Sequence, residues 1–217
     1  MLSRTFGIVI AALLCLGQTA HANESGDRSA RGMRDEAFAT IYGQTLPPIG
    51  FVDFCTQNKS ECRPDTDRVV PRVSLSGERW KSLNRINAHV NGTVRPVSDA
   101  DLYKVPERWT YPVNAGDCED YVLLKKRYLE TLGFPAASLL ITVVLDERGD
   151  GHAVLTAVTD KGDFILDNRR DEILRWSQTN YRFLKRQSAQ DPKVWVALSK
   201  GAKPSTASLI KRAENDE

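Results

Sequence analysis

The chain is poor in the residues that usually give a function away. Its 217 residues include three histidines and four cysteines, and a formal net charge of +2 leaves no surplus of either sign. No basic stripe with interleaved aromatics runs through it, so nucleic acid is excluded as a partner. There is no internal repeat, and no linker divides the chain in two. No apolar run reaches the roughly 20 residues that cross a bilayer. The nearest, Phe6 to Gly17, lies behind Arg4 and ahead of Ala20-His21-Ala22. That pattern is a secretory signal cleaved after Ala22, which predicts a periplasmic protein with no membrane span in the mature chain. The leader carries one of the 30 basic residues and none of the 28 acidic ones, so the mature chain is close to neutral.

What remains is apolar enough, at 41%, to build one ordinary globular domain. The scarce cysteines sort themselves. Cys15 leaves with the leader, and Leu14 before it is not the small residue a lipoprotein signal wants. Cys55 and Cys62 bracket a polar segment, with no histidine nearby to complete a metal site. In an oxidising compartment they predict a local disulfide, worth roughly 2–3 kcal/mol on the chain-entropy model. Cys118 is left as the odd thiol, reactive or awaiting a partner.

Cys118 opens a helical pattern. Tyr121, Leu124, Tyr128, Leu129 and Leu132 recur at spacings of three and four, Lys125, Lys126, Arg127 and Glu130 fill the other face, and Gly133 with Pro135 supplies the stop. A helix start points N–H groups and the positive end of its dipole at the sulfur. Earlier, Trp80, Leu83, Ile86, Asn87 and Val90 predict a core-packed helix capped by Ser74 or Ser76 and ending before Gly92, with His89 beside its stripe as a structural or solvated residue. The paired prolines around Leu46 to Phe51 predict an extended or turning segment. Residues 96–114 predict a loop anchored by Trp109.

After the helix the period changes to that of strands. Leu139–Leu145, His152–Val158 and Asp163–Asn168 predict an antiparallel meander, and Tyr181–Leu184 and Val194–Leu198 can add further strands. The tail from Ser199 is polar. The domain plan is therefore a signal at 1–22, an N-terminal extension at 23–69, a folded domain at 70–198 and a tail at 199–217. A thiol at a helix start, followed by a strand histidine and then a carboxylate, is the order of nucleophile, base and orienter. His152 is the obvious base, and Asp167 is the favoured orienter because a carboxylate inside an apolar run needs a strong partner. If the hairpin turns at Asp160-Lys161, Asp167 faces Val154, one diagonal step from His152. If it turns one residue later, the contact needs a bulge. Asn168 is the alternative orienter.

The acids beside the thiol cut the other way. Asp117, Glu119 and Asp120 should raise its pKa. They can simply complement the helix dipole, or they can hold Ca²⁺, whose charge cancels the repulsion.

Gly116-Asp117-Cys118-Glu119-Asp120-Tyr121, Gly151-His152-Ala153-Val154-Leu155 and Leu166-Asp167-Asn168, in that order, resemble the bacterial transglutaminase-like cysteine peptidases, a periplasmic family with a LapG-type, adhesin-releasing branch. The resemblance spans roughly residues 70–198. It implies an α+β, papain-like transglutaminase-type core, with the nucleophile at a helix N-terminus packed on an antiparallel sheet. It implies a triad of Cys118, His152 and Asp167, and calcium at Asp117, Glu119 and Asp120. It also implies a protein substrate such as a large adhesin, and sequestration by an inner-membrane cyclic-di-GMP receptor. The Cys55/Cys62 segment is not part of that motif set. The alternatives are acyl transfer to an amine on the same thioester chemistry, or a non-catalytic module stabilised by calcium.

Overall fold

The computed structural model describes residues 37–64 and 70–201. The expected leader at 1–22, the residues that follow it and most of the polar tail lie outside that range. Among the described residues there are four α-helices, α1 (Ile49–Gln57), α2 (Gly77–Thr93), α3 (Asp99–Tyr103) and α4 (Cys118–Thr131). Nine strands accompany them: β1 (Gln44–Thr45), β2 (Arg95–Pro96), β3 (Ala115–Gly116), β4 (Leu139–Leu145), β5 (Gly151–Thr159), β6 (Gly162–Asp167), β7 (Arg170–Arg175), β8 (Arg182–Gln187) and β9 (Trp195–Ala197). None of the helices is long and apolar enough to cross a membrane.

Seven strands form one antiparallel sheet in the order β1-β9-β8-β4-β5-β6-β7, and β2 and β3 make a small parallel pair. The central strands read as near-continuous apolar runs because both faces of the sheet are covered. On one face Leu83 and Val90 of α2 and Tyr121, Val122 and Leu129 of α4 meet Ile141, Val143, Ala153, Leu155 and Leu166. On the other, Val144, Val154 and Ile165 pack with Ala39, Tyr181, Phe183 and Leu198. The helices followed by an antiparallel meander are what the periods predict, and the α+β architecture is what the family resemblance implies.

The details differ in four places. The helix that begins at Cys118 buries Cys118, Tyr121, Val122, Lys125 and Leu129, while Tyr128 and Leu132 are exposed. The apolar stripe expected through Tyr128 and Leu132 is therefore rotated, and it takes in a lysine. Residues 49–57 are helical rather than extended: Pro48 fits just before a first helical turn, where no N–H is needed. Phe51 of that helix packs edge-on against Trp109 and Trp195, and a Cβ at Gly50 would collide with the Trp109 ring. The loop at 96–114 contains α3, capped by Ser98, whose hydroxyl accepts from the Asp101 N–H at 3.2 Å. Helix α2 also runs through Gly92 to Thr93, with Ser76 as its N-cap.

The β5–β6 hairpin turns at Asp160-Lys161, pairing Thr159 with Gly162 and Leu155 with Leu166. Continued one step, this register sets Asp167 opposite Val154, diagonal to His152. His152 and Asp167 thus share the sheet face turned away from α4. A two-residue turn, Asn168-Arg169, follows at once, since Asp167 also pairs with Arg170 across it. The sulfurs of Cys55 and Cys62 lie at bonding distance, with Cα atoms 5.7 Å apart.

Candidate active site

Cys118 and His152 line one cavity of about 130 Å³, together with Pro96, Val97, Ser98, Asp117, Asn168 and Arg169. Four separate pieces of chain converge there: the segment from β2 to α3, the start of α4, the start of β5 and the turn after β6. His152 is fully buried, and its Nε2 lies 2.9 Å from Asp167 Oδ1. Asp167 Oδ1 also accepts from the Arg169 N–H at 3.0 Å, and Oδ2 accepts from the Tyr181 hydroxyl at 2.6 Å. Although burial opposes ionisation, the His152 contact and these donors hold the Asp167 carboxyl well below the usual carboxylate range. Nε2 is thereby taken, while His152 Nδ1 is buried without a protein partner. Asn168, the alternative orienter, lies at the cavity wall with its Oδ1 unpartnered and makes no bond to the imidazole.

The turn that carries Arg169 is tied to the turn that precedes His152. Arg169 Nη1 donates to Asp146 Oδ2 at 2.7 Å, and Asp146 Oδ1 accepts from the N–H groups of Arg148 and Asp150. His152 and Asp167 are therefore braced at both ends.

The thiol is less free. Cys118 Sγ donates to Glu119 Oε2 at 3.1 Å. Burial, then the charges of Glu119 and Asp117, push the thiol well above its ordinary value, against a backbone N–H from Ala153 that favours the thiolate. Asp117 occupies the N-cap position of α4 yet makes no capping bond. Its Oδ2 accepts from the Asp99 N–H at 3.3 Å, and its Oδ1 is buried without a partner.

Oxygens of Asp99, Asp117 and Glu119 lie within 4.8 Å of one another. Burial and Asp117 push Asp99 up to about 6 and hold Glu119 well above the carboxylate range. Asp120 stands outside that trio. Its Oδ1 accepts from the Thr110 N–H at 2.9 Å, and its Oδ2 is buried and unpartnered; burial, with Asp117 and Asp99 adding to it, pushes the carboxyl up to about 8. Its Cβ would lie 2.8 Å from a Cβ added at Gly116, so only glycine fits there. Of the three acids singled out in the sequence, Asp117 and Glu119 meet, and the third member of the cluster is Asp99. Hard, partly orphaned oxygens at this spacing fit a calcium ion.

A family model described as bacterial transglutaminase-like cysteine proteinase matches residues 41–203. The chain belongs to this family. A transglutaminase-like cysteine proteinase is a cysteine peptidase, and the fold above is its papain-like α+β core. Among solved structures, the chain is similar to Legionella pneumophila LapG (calcium-bound), with 24% identity over 60% of this chain and 74% of that one and a TM-score of 0.48. It is also similar to Legionella pneumophila LapG (EGTA-treated), with 25% identity over 55% and 67% and a TM-score of 0.47. A search of the curated proteins finds no match.

Two residues of the candidate site escape a reading of the sequence. Asp99 is 18 residues ahead of Asp117; the Ser98 cap that starts its short helix is its only local signal. Tyr181 reaches Asp167 from the far side of two strands and has no local signal at all.

Proposed function

We propose that this cysteine peptidase is a periplasmic, calcium-dependent endopeptidase with Cys118 as nucleophile, His152 as general base and acid, and Asp167 as the orienter of the imidazole. The observation that carries the reading is the buried His152–Asp167 contact at 2.9 Å, made by the histidine that lines one cavity with Cys118. With Nε2–H donated to Asp167, the imidazole is left in the tautomer whose Nδ1 lone pair accepts the thiol proton. The thiolate adds to the scissile carbonyl carbon. His152 then returns the proton to the leaving amine as the C–N bond breaks, giving a thioester that water hydrolyses with His152 again as base.

Asp117 and Glu119, with Asp99 beside them, would hold the calcium ion, and Asp120 backs the cluster. Bound there, the ion supplies positive charge that offsets the carboxylates around the thiol. The residues themselves do the rest: Glu119 is the present acceptor of the thiol proton, and His152 must replace it.

The leader-like start of the chain places the substrate among exported proteins. A large surface adhesin suits the family, as does restraint of the enzyme by an inner-membrane cyclic-di-GMP receptor. The test is to alkylate Cys118 with iodoacetamide and offer the enzyme an N-terminal adhesin fragment. Cleavage by the untreated enzyme and none by the alkylated one is expected, and undiminished cleavage after full alkylation sinks the mechanism.

A further inference from the structure

Asp167 is gripped on both oxygens, and the second grip comes from an element that gives the site nothing else. Tyr181 sits just before β8, buried in the core on the sheet face away from α4. Its ring meets the His152 ring edge-on, with centroids 5.6 Å apart and planes at 73°. Its hydroxyl donates to Asp167 Oδ2 at 2.6 Å, which is the one hydrogen bond to that oxygen among the described residues. Packing alone would be satisfied by phenylalanine, since a buried phenol brings a polar group that must be paired.

We infer that Tyr181 is a positioning residue, fixing the plane of the Asp167 carboxylate and the tilt of the His152 ring so that Nδ1 faces Cys118. The inference rests on the roles proposed above for Cys118, His152 and Asp167. Rotation about the last bond of an aspartate side chain is broad, so a carboxylate held at one oxygen can swing. Oδ1 carries His152 and the Arg169 N–H. With Oδ2 pinned from a different direction, the Nε2–H to Oδ1 line is set, and the imidazole with it. The other charged groups around this pair do not replace the phenol. Arg170 Nε stays 3.7 Å from Oδ2, with its guanidinium 5.5 Å from the Tyr181 ring, and Arg169 is engaged by Asp146. Lys125 on α4 donates to no group among the described residues. The grip also shows on the phenol, which burial and Asp167 push up to about 12.

The test uses the mature enzyme with calcium present and the Tyr181→Phe variant, which keeps the ring and removes one hydroxyl. Two quantities are read: the rate at which iodoacetamide alkylates Cys118, per folded molecule by near-ultraviolet circular dichroism, and the low-field proton resonance of His152 Nε2–H. Alkylation about tenfold slower, the low end of what removing an outer-shell partner of a metal-bound histidine costs, together with a displaced resonance, is expected. A wild-type rate, or a slower rate with the resonance unmoved, overturns the inference, because a purely packing role leaves the His152–Asp167 bond as it was. A wild-type enzyme whose Cys118 resists alkylation refutes the assigned roles themselves, and the role of Tyr181 falls with them.

Discussion

Lys125 stands seven residues after Cys118, two turns down the same buried stripe of α4. Its ammonium is fully buried and has no hydrogen-bond partner among the described residues. Burial pushes it down to about 7, and the attraction of Asp167 and Asp171 offsets this only in part. Unfolded, the same side chain titrates near 10.5. Between about pH 7 and 10.5 the unfolded chain therefore binds a proton that the folded chain does not, so the contribution of Lys125 to stability rises with pH across that window. Below pH 7 its cost is constant and full, on the order of 3–5 kcal/mol. Lys125→Met keeps the length of the side chain and removes the charge. Urea unfolding at pH 6 should find the variant more stable by about 1–4 kcal/mol, with the advantage shrinking toward pH 10. A variant weaker than wild type at pH 6 would mean that the ammonium is paired. This residue also shows a limit of periodicity: a lysine is read as solvated by default, and only the neighbours of its stripe, Tyr121, Val122 and Leu129, reveal that it is inside.

At the scale of elements, the site depends on a strand that the sequence hides. β7, Arg-Asp-Glu-Ile-Leu-Arg, has four charged residues in six and buries only Ile173. Such an edge strand has no alternation to detect. It is fixed instead by side chains of α2: Asn87, fully buried, donates to the carbonyls of Arg170 and Asp171 at 3.0 Å, and Asn91 donates to the Asp167 carbonyl at 3.0 Å. Asn87→Ala leaves the Asp171 carbonyl without its side-chain donor, while the Arg170 carbonyl keeps Asn91 at 3.1 Å. A loss of about 1–3 kcal/mol in chemical unfolding is expected, and a loss below 0.5 kcal/mol would show that water substitutes freely. Elements with a strong period were legible. β4, β5 and β6 fall within one residue of their apolar runs, and the β5–β6 register is one of the two that their length allowed. The candidate site was legible to the same degree. Cys118, His152 and Asp167 lie on periodic elements in a recognisable order, whereas Asp99 and Tyr181 sit at the ends of short or irregular segments whose place only the tertiary fold decides.

For the whole molecule, the acids beside Cys118 set a condition on the folded state. Asp99 and Asp120 are pushed up to about 6 and about 8, chiefly by burial and then by neighbouring carboxylates. Without metal, the folded chain keeps protons that the unfolded chain releases near pH 4. Stability from these groups is therefore present below pH 4 and is lost as pH climbs toward 6 and then 8. A calcium ion held by Asp99, Asp117 and Glu119 offsets part of that loss, since it binds the ionised carboxylates of the folded chain alone. At a hundredfold excess over Kd the ion adds about 2.7 kcal/mol. For a chain of this size that corresponds to about 5–10 °C in melting temperature. Scanning fluorimetry should find this gain of calcium over EGTA at pH 8 and a smaller one at pH 5.5, where protons compete for the same oxygens. The Asp99→Asn variant should lose most of the gain at pH 8, because it takes one charge from the cluster. Equal melting temperatures in calcium and EGTA at pH 8 would reduce the cluster to a destabilising feature of the apo fold. Asp117 would then be an N-cap that caps nothing, and the Cys118 thiol would have to reach His152 against the charge of both its neighbours.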